Sequence, residues 1–405
     1  MESPVQTVDL SKEATETIRS FRISAPQTQL DDLRRRIRAT IFPEKETVGD
    51  FSQGMPLDTI QSVAKYWGKE YDWRKIEAKL NSFPHFVTEI DGLDIHFIHV
   101  KSPHANALPI IITHGWPASI MHSLNIIGPL TNPTLFGGKA SDAFDLVIPS
   151  LPGFGFSGKP TTEGWGPDRI GRAWVRLMKR LGYDKFLAQG GDWGAIITEV
   201  MAAECADNLL GIHTNMPNAV PAEIDAAAFS GAPLPTNLDN DENEAYERLR
   251  FTYKNVTYAF YMGSRPQTLV GLADSPVGMA SFMIDFDPRG RQLIAQVFAG
   301  IPHGLSRDDI LDNLTLFWLT NTAVSSARIY WENKFSFFVP KGVTVPVGVS
   351  VFPDEHFQTP KKWAEMAYPN LIYYRKVEIG GHFPSWEQPA VFTAELRAAF
   401  RSLRK

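Results

Sequence analysis

Apolar positions recur in two rhythms along this chain, and the switch between them marks its organisation. In residues 1–80, Leu30, Leu33, Ile37 and Ile41 repeat every three or four positions, the spacing of one helical face. Arg34, Arg35 and Arg36 fall between them and read as the solvated side of that helix rather than a binding patch. From Phe86 the period shortens to two. Phe86–Ile90 and Ile95–Val100 alternate as strands around Asp91-Gly92, a dipeptide suited to a tight hairpin. Pro109–Thr113, Phe144–Ile148, Lys185–Gln189 and Leu209–Thr214 then read as short strands, with helices predicted over Asp168–Leu181 and Ala195–Ala206. Strands and helices in alternation predict βαβ units and a mostly parallel sheet.

Regularity stops at Met216. Residues 217–340 hold Pro- and Asp-rich loops around Tyr- and Phe-containing helices, with no clear strand. The α/β pattern resumes with Val343–Val351, a helix from Thr359, the strand Leu371–Val377 and a last helix over Gln388–Ser402. The expected organisation is a helical N-terminal extension over 1–80, a core built from 81–216 and 341–405, and a helical lid inserted at 217–340.

Composition narrows the class. A net charge of -5 and a pI near 6.1 argue against a nucleic-acid or anionic-membrane partner, both of which favour a basic face. The single cysteine, Cys205, allows no intrachain disulfide and no Cys-based zinc site. Met1–Gln6 has neither a basic start nor an apolar stretch, so no signal peptide is expected. No run of about 18 apolar residues predicts a membrane span. A cytoplasmic enzyme is the expected class. An aromatic share of 12% suits a deep apolar core or an aromatic-lined pocket.

The candidate chemistry lies in Gly190-Gly191-Asp192-Trp193-Gly194, between a predicted strand and a predicted helix. This is the small-x-nucleophile-x-small spacing of a nucleophile elbow, with Asp where many hydrolases carry Ser. Strained dihedrals at the nucleophile require small neighbours two positions either side, and the following helix N-terminus favours a carboxylate. An Asp is already anionic at neutral pH and can attack a saturated carbon. The ester it forms must then be cleaved by water, which calls for a base and an oxyanion hole. His382, in Ile379-Gly380-Gly381-His382-Phe383, follows the last strand and is the candidate base. An acid to orient it is expected in Phe352-Pro353-Asp354-Glu355-His356, where either Asp354 or Glu355 would serve. His114-Gly115-Trp116-Pro117 follows a strand at the place that supplies one oxyanion-hole amide, so the backbone N–H groups of Trp116 and Trp193 are assigned to that hole. His114 reads as a structural loop histidine, and Gly153-Phe154-Gly155 as fold packing, since it lacks the Lys-Ser/Thr of a phosphate loop.

Together these residues resemble the microsomal-type epoxide hydrolases, including soluble fungal and bacterial members. The resemblance runs over nearly the whole chain. It takes in Tyr71-Asp72-Trp73-Arg74, His-Gly-Trp-Pro, Gly-Gly-Asp-Trp-Gly, Asp274-Ser275-Pro276-Val277-Gly278 and Gly-Gly-His-Phe. It implies an α/β-hydrolase fold with a mostly parallel sheet, and it points to Glu355 as the acid, with Asp354 in the variable position. It also implies two lid tyrosines that grip the epoxide oxygen, matched by Tyr258 and Tyr330, with Tyr253 and Tyr261 as nearby rivals for the first role. Ring opening creates an alkoxide, which needs acids opposite the attacking carboxylate. The expected reaction converts a small-molecule epoxide and water to a vicinal diol with no metal and no organic cofactor. A homodimer is compatible with the family. A haloalkane dehalogenase shares the fold and nucleophile but calls for N–H donors to halide rather than two phenols. A non-catalytic ligand-binding protein would not be expected to keep Asp192, Glu355 and His382 together.

Overall fold

The computed structural model describes residues 17–234, 237–301 and 304–404; Met1–Gln6, where no signal peptide is expected, lie outside them. The chain opens with β1 (Arg19–Phe21), then α1 (Gln27–Arg38), α2 (Leu57–Lys69) and α3 (Trp73–Leu80). Helix α1 buries Leu30, Leu33 and Ile37, as their spacing predicts. Ile41 is not part of that face: the helix ends at Arg38 and Ile41 is 95% exposed. Pro43 follows two residues later, and the chain before a proline is biased away from helical dihedrals. Arg35 and Arg36 both pair with Asp32 on the same helix, as suits a solvated face, and Arg36 also reaches Asp274. Strand β1 departs from the all-helical expectation for this region. It is three residues long, too short to show alternation, and extends the sheet edge by pairing Ser20 with Phe86.

Next come β2 (His85–Ile90) and β3 (Leu93–Val100), an antiparallel hairpin whose turn residues Asp91 and Gly92 both have positive φ, as an Asp-Gly turn supplies. The core continues through β4 (Leu108–Thr113), α4 (Leu124–Thr131), β5 (Phe144–Pro149), α5 (Pro167–Arg180), β6 (Phe186–Gly190), α6 (Trp193–Glu204) and β7 (Leu209–Thr214). The nine strands form one sheet in the order β1-β2-β3-β5-β4-β6-β7-β8-β9. Pairings from β5 through β9 are parallel; those joining β1, β2, β3 and β5 are antiparallel. Every residue of β6 is buried, as is expected of a central strand covered on both faces.

Between β7 and β8 (Val347–Val351) run α7 (Ala222–Ser230), α8 (Asn240–Asn255), α9 (Thr257–Ser264), α10 (Pro276–Ile284), α11 (Pro288–Phe298), α12 (Arg307–Thr320) and α13 (Ala323–Glu332). Asp239, Ser275, Asp287 and Ser306 accept backbone N–H bonds at the starts of α8, α10, α11 and α12. The Asp-Ser-Pro-Val-Gly motif is one of these caps: Ser275 accepts from the Gly278 N–H at 3.0 Å. Strand β8 starts four residues later than its apolar run suggests, because Pro346 lacks the N–H a paired strand needs. The chain closes with α14 (Lys361–Ala367), β9 (Leu371–Lys376), α15 (Pro384–Glu387) and α16 (Pro389–Ala399).

The N-terminal segment is bolted to the insertion. Tyr66 donates to Asp308 (2.9 Å), the Trp67 indole to Thr315 (2.9 Å) and Tyr71 to Asp312 (2.7 Å), all three acceptors on α12. Asp72 caps α3 through the Arg74 N–H, so Tyr71-Asp72-Trp73-Arg74 is a helix start that also anchors a neighbour. No helix among the described residues is long and apolar enough to cross a membrane.

Candidate active site

Asp192 sits in the bend between β6 and α6 with φ 52° and ψ -128°, a backbone conformation that costs a non-glycine residue about 1–3 kcal/mol. The bend is possible because its flanks carry no side chain. A Cβ on Gly190 would lie 1.9 Å from the Gly194 carbonyl oxygen, and one on Gly194 would lie 2.0 Å from that of Thr113. The Asp192 side chain makes no capping bond to α6. Its carboxylate, 3% exposed as a residue, is shared between two partners instead. Oδ1 accepts the Trp116 N–H at 2.7 Å, and Oδ2 lies 3.2 Å from His382 Nε2. The Trp193 amide, the other expected donor, opens α6 directly after Asp192 and makes no hydrogen bond to that carboxylate among the described residues.

His382 is held from behind. Its Nδ1 makes a short hydrogen bond with Glu355 Oε1. Glu355 Oε2 accepts from Asn215 Nδ2 at 3.0 Å, and its Oε1 accepts the His356 N–H at 2.9 Å. Asp354 turns outward and pairs with Arg289, so of the two carboxylates in this loop it is Glu355 that meets the histidine. Burial alone would push the His382 imidazole down; the Glu355 and Asp192 carboxylates outweigh it and hold the ring well above the ordinary histidine value. Asn215, one residue beyond β7, was not anticipated. Its signal is a polar residue at the carboxyl end of a central parallel strand, where this class of sheet places its ligands.

Across from Asp192, Tyr258 on α9 and Tyr330 on α13 close the site. Trp116 stacks on Tyr258 (centroids 4.9 Å apart), and Trp193 meets Tyr330 edge-on at 4.7 Å. The two phenol rings are 6.1 Å apart. Burial and then, for Tyr258, the Asp192 charge raise both phenols well above 10, so both are protonated at neutral pH; the charges acting on Tyr330 include those of Tyr258 and Asp192. A cavity of about 180 Å³ lies among Asp192, Trp193, Tyr258, Tyr330, Phe337 and His356. Tyr253 shares its wall but spends its hydroxyl on Asp225 at 2.6 Å, and Tyr261 is 40% exposed. His114 is buried, contacts the Gly115 carbonyl and accepts the Leu151 N–H, and burial lowers it to about 4. It holds its loop. Gly153 likewise packs, its carbonyl accepting from Ser325 Oγ at 2.6 Å.

Glu355, His356 and His382 bring donor atoms within 4.8 Å of one another. The two imidazoles lie tilted against each other, with centroids 4.1 Å apart and planes at 34°, and His382 Nδ1 is already engaged by Glu355.

Known proteins carry the same architecture. The profile described as the epoxide hydrolase N terminus matches residues 18–123, and that of the alpha/beta hydrolase fold matches 109–257. A protein of Stigmatella aurantiaca, named provisionally an epoxide hydrolase, is 48% identical over 96% of this chain and 86% of its own length. Epoxide hydrolase 1 of Oryctolagus cuniculus is 32% identical over 94% of this chain and 88% of its own. Among solved structures, juvenile hormone epoxide hydrolase from Bombyx mori superposes with a TM-score of 0.85 at 29% identity, covering 98% of this chain and 97% of that one. The epoxide hydrolase of Aspergillus niger superposes with a TM-score of 0.81 at 27% identity, covering 96% and 97%.

Proposed function

This chain belongs to the epoxide hydrolase family, and from that premise we propose that it hydrolyses its epoxide in two steps through an ester on Asp192. The observation that carries the reading is the division of one buried carboxylate: Oδ1 on the Trp116 amide, Oδ2 beside His382, with two phenols across a small cavity. In the first step Oδ2 attacks an epoxide carbon, the C–O bond of the ring breaks, and Tyr258 or Tyr330 gives its proton to the departing oxygen. The imidazolium favoured by Glu355 and Asp192 can then return a proton to the phenolate, since esterification removes one of the two charges that held it. In the second step neutral His382 takes a proton from water, and hydroxide attacks the ester carbon. Oδ1 becomes the oxyanion on the Trp116 N–H, joined as the bond geometry changes by that of Trp193. Collapse expels the diol oxygen, which is protonated by His382.

Residues 217–340 act in this reading as a lid that brings both tyrosines over the nucleophile, above the core of 81–216 and 341–405. Membership of the family favours an epoxide over an alkyl halide as the electrophile, and the phenols are O–H acids of the kind an alkoxide requires.

The test is isotopic. In a single turnover in ¹⁸O-water, label enters the Asp192 carboxylate and is absent from the diol; label in the diol alone would mean direct attack of water on the epoxide. His382→Ala accumulates the alkyl-enzyme ester, visible as added mass on the intact protein. An unmodified mass under saturating epoxide would remove His382 from the base role.

A further inference from the structure

We propose that Asn313, on α12, is a positioning residue for the oxyanion-binding amide of Trp116, coupling that amide to the N-terminal segment; the inference rests on the ester mechanism above. Trp116 lies in the irregular stretch between β4 and the helical turn that begins at Ile120, so no strand or helix ladder fixes its N–H. Asn313 supplies the missing restraint. Its Nδ2 donates to the Pro117 carbonyl at 2.7 Å, and its Oδ1 accepts from Ser119 Oγ at 2.7 Å. One buried carboxamide thus uses a donor and an acceptor on two points of the same loop, one and three residues beyond Trp116. A buried amide fits this task because it offers both polarities from a planar group, and neither hydrogen bond can be exchanged cheaply for water.

The post from which Asn313 reaches is itself fixed. Asp308, Asp312 and Thr315 are spaced by four and three residues on α12, which puts them on one helical face. That face takes the hydrogen bonds from Tyr66, Tyr71 and Trp67 of the N-terminal segment. Asn313, one residue on from Asp312, projects about 100° around the helix from it. Sliding or rotating α12 to move Asn313 therefore breaks contacts on the other face. The place of the Trp116 N–H relative to Asp192 is set by a chain of three supports: the N-terminal segment, α12 and the loop.

This geometry has an asymmetric effect on the two steps. Negative charge on Oδ1 falls as the carboxylate becomes an ester and rises when hydroxide attacks that ester. A donor aimed at Oδ1 therefore favours the second transition state over the first. Loosening the donor should slow ester hydrolysis while sparing ester formation.

The experiment is Asn313→Leu, which keeps the branching at Cγ and the number of side-chain heavy atoms but is bulkier and has neither hydrogen bond. Rapid-quench single turnovers followed by intact-protein mass should show ester hydrolysis slowed about 10- to 100-fold, ester formation changed by less than about 3-fold, and the ester dominating the steady state. Ser119→Ala, which keeps the bond to Pro117 and loses the other, should raise the ester fraction by less than Asn313→Leu does. If Asn313→Leu folds poorly, Asn313→Ser, too short to reach Pro117, must give the same rise in ester. A variant that loses thermal stability, or slows both steps equally, with no change in the ester fraction overturns the proposal and leaves Asn313 a packing residue. The ¹⁸O single turnover separates the two levels of inference. Label in the diol alone removes the ester mechanism; label in Asp192 with no rise in ester for Asn313→Leu removes only the positioning role.

Discussion

In the proposed ring opening Tyr258 and Tyr330 divide one task between two side chains, and burial is what suits them to it. A phenol kept protonated near neutral pH is a weak acid toward water but a competent one toward an alkoxide forming beside it. Both rings are packed by the tryptophans that flank Asp192, Tyr258 stacked on Trp116 and Tyr330 edge-on to Trp116 and Trp193, and these ring contacts help to hold their hydroxyls opposite Asp192. Two acids facing one oxygen give redundancy. Tyr330→Phe or Tyr258→Phe alone should lower the rate of ester formation about 10- to 100-fold, and the double variant should lower it beyond the product of the two single losses, to about 10⁴-fold or more. The measurement is the single-turnover rate of ester appearance. Equal rates in parent and double variant would remove both phenols from the acid role.

At the scale of the element, α12 contains a built-in pH response. Burial raises the Asp312 carboxyl to about 7, with the nearby Asp309 and Asp308 charges adding to the rise and the Tyr71 hydrogen bond opposing it. A carboxyl whose folded value is raised stabilises the fold only in its protonated form. That contribution is complete below the unfolded value near 4 and is lost as pH rises through about 7. Asp312→Asn keeps an acceptor for Tyr71 and removes the ionisation. Its thermal midpoint should exceed that of the parent by roughly 2–5 °C at pH 8, with the gain shrinking as pH falls and vanishing near pH 4. A gain independent of pH would mean that the carboxyl does not titrate in this range. The same element shows where the sequence is legible and where it is not. Periodicity exposes α1, the β2–β3 hairpin and the alternating core because each repeats its own signal every two to four residues. Asp192, His382 and the Trp116 loop are legible because bends and glycines mark them locally. Asn215 and Asn313 are harder to read, because their partners are 140 and 196 residues away; Asn215 is marked only by its place at the end of β7, and Asn313 by nothing nearby in sequence. Strand β1 escapes for a related reason: its three residues are a strand only because β2 is there to pair with.

For the whole molecule, the N-terminal segment is part of the folded unit rather than an appendage. Val63, Trp67, Trp73, Ile76 and Leu80 are all buried, and Trp67 is 1% exposed. Its donors are the partners of α12, and β1 covers the edge of β2 that would otherwise present unpaired backbone groups. A chain starting at residue 81 would expose those apolar surfaces together and leave the Asp312 carboxyl and Thr315 hydroxyl without their partners. It should give little soluble protein and less than about 1% of the parent activity, checked by soluble yield and diol formation. A soluble, fully active truncated chain would show that the core stands alone.

The aromatic cluster has one more consequence. Of ten tryptophans in the chain, Trp116 and Trp193 touch the two phenols, and the carboxylate that we propose is esterified accepts the Trp116 N–H and belongs to the residue directly before Trp193. Indole emission responds to nearby charge and to quenching by neighbouring groups, so losing an anion and gaining a covalently held guest at that spot should change the light these two residues emit. On the ester mechanism the enzyme would thus carry its own optical reporter, and the filling and emptying of Asp192 should be visible in real time without a dye or a coloured substrate.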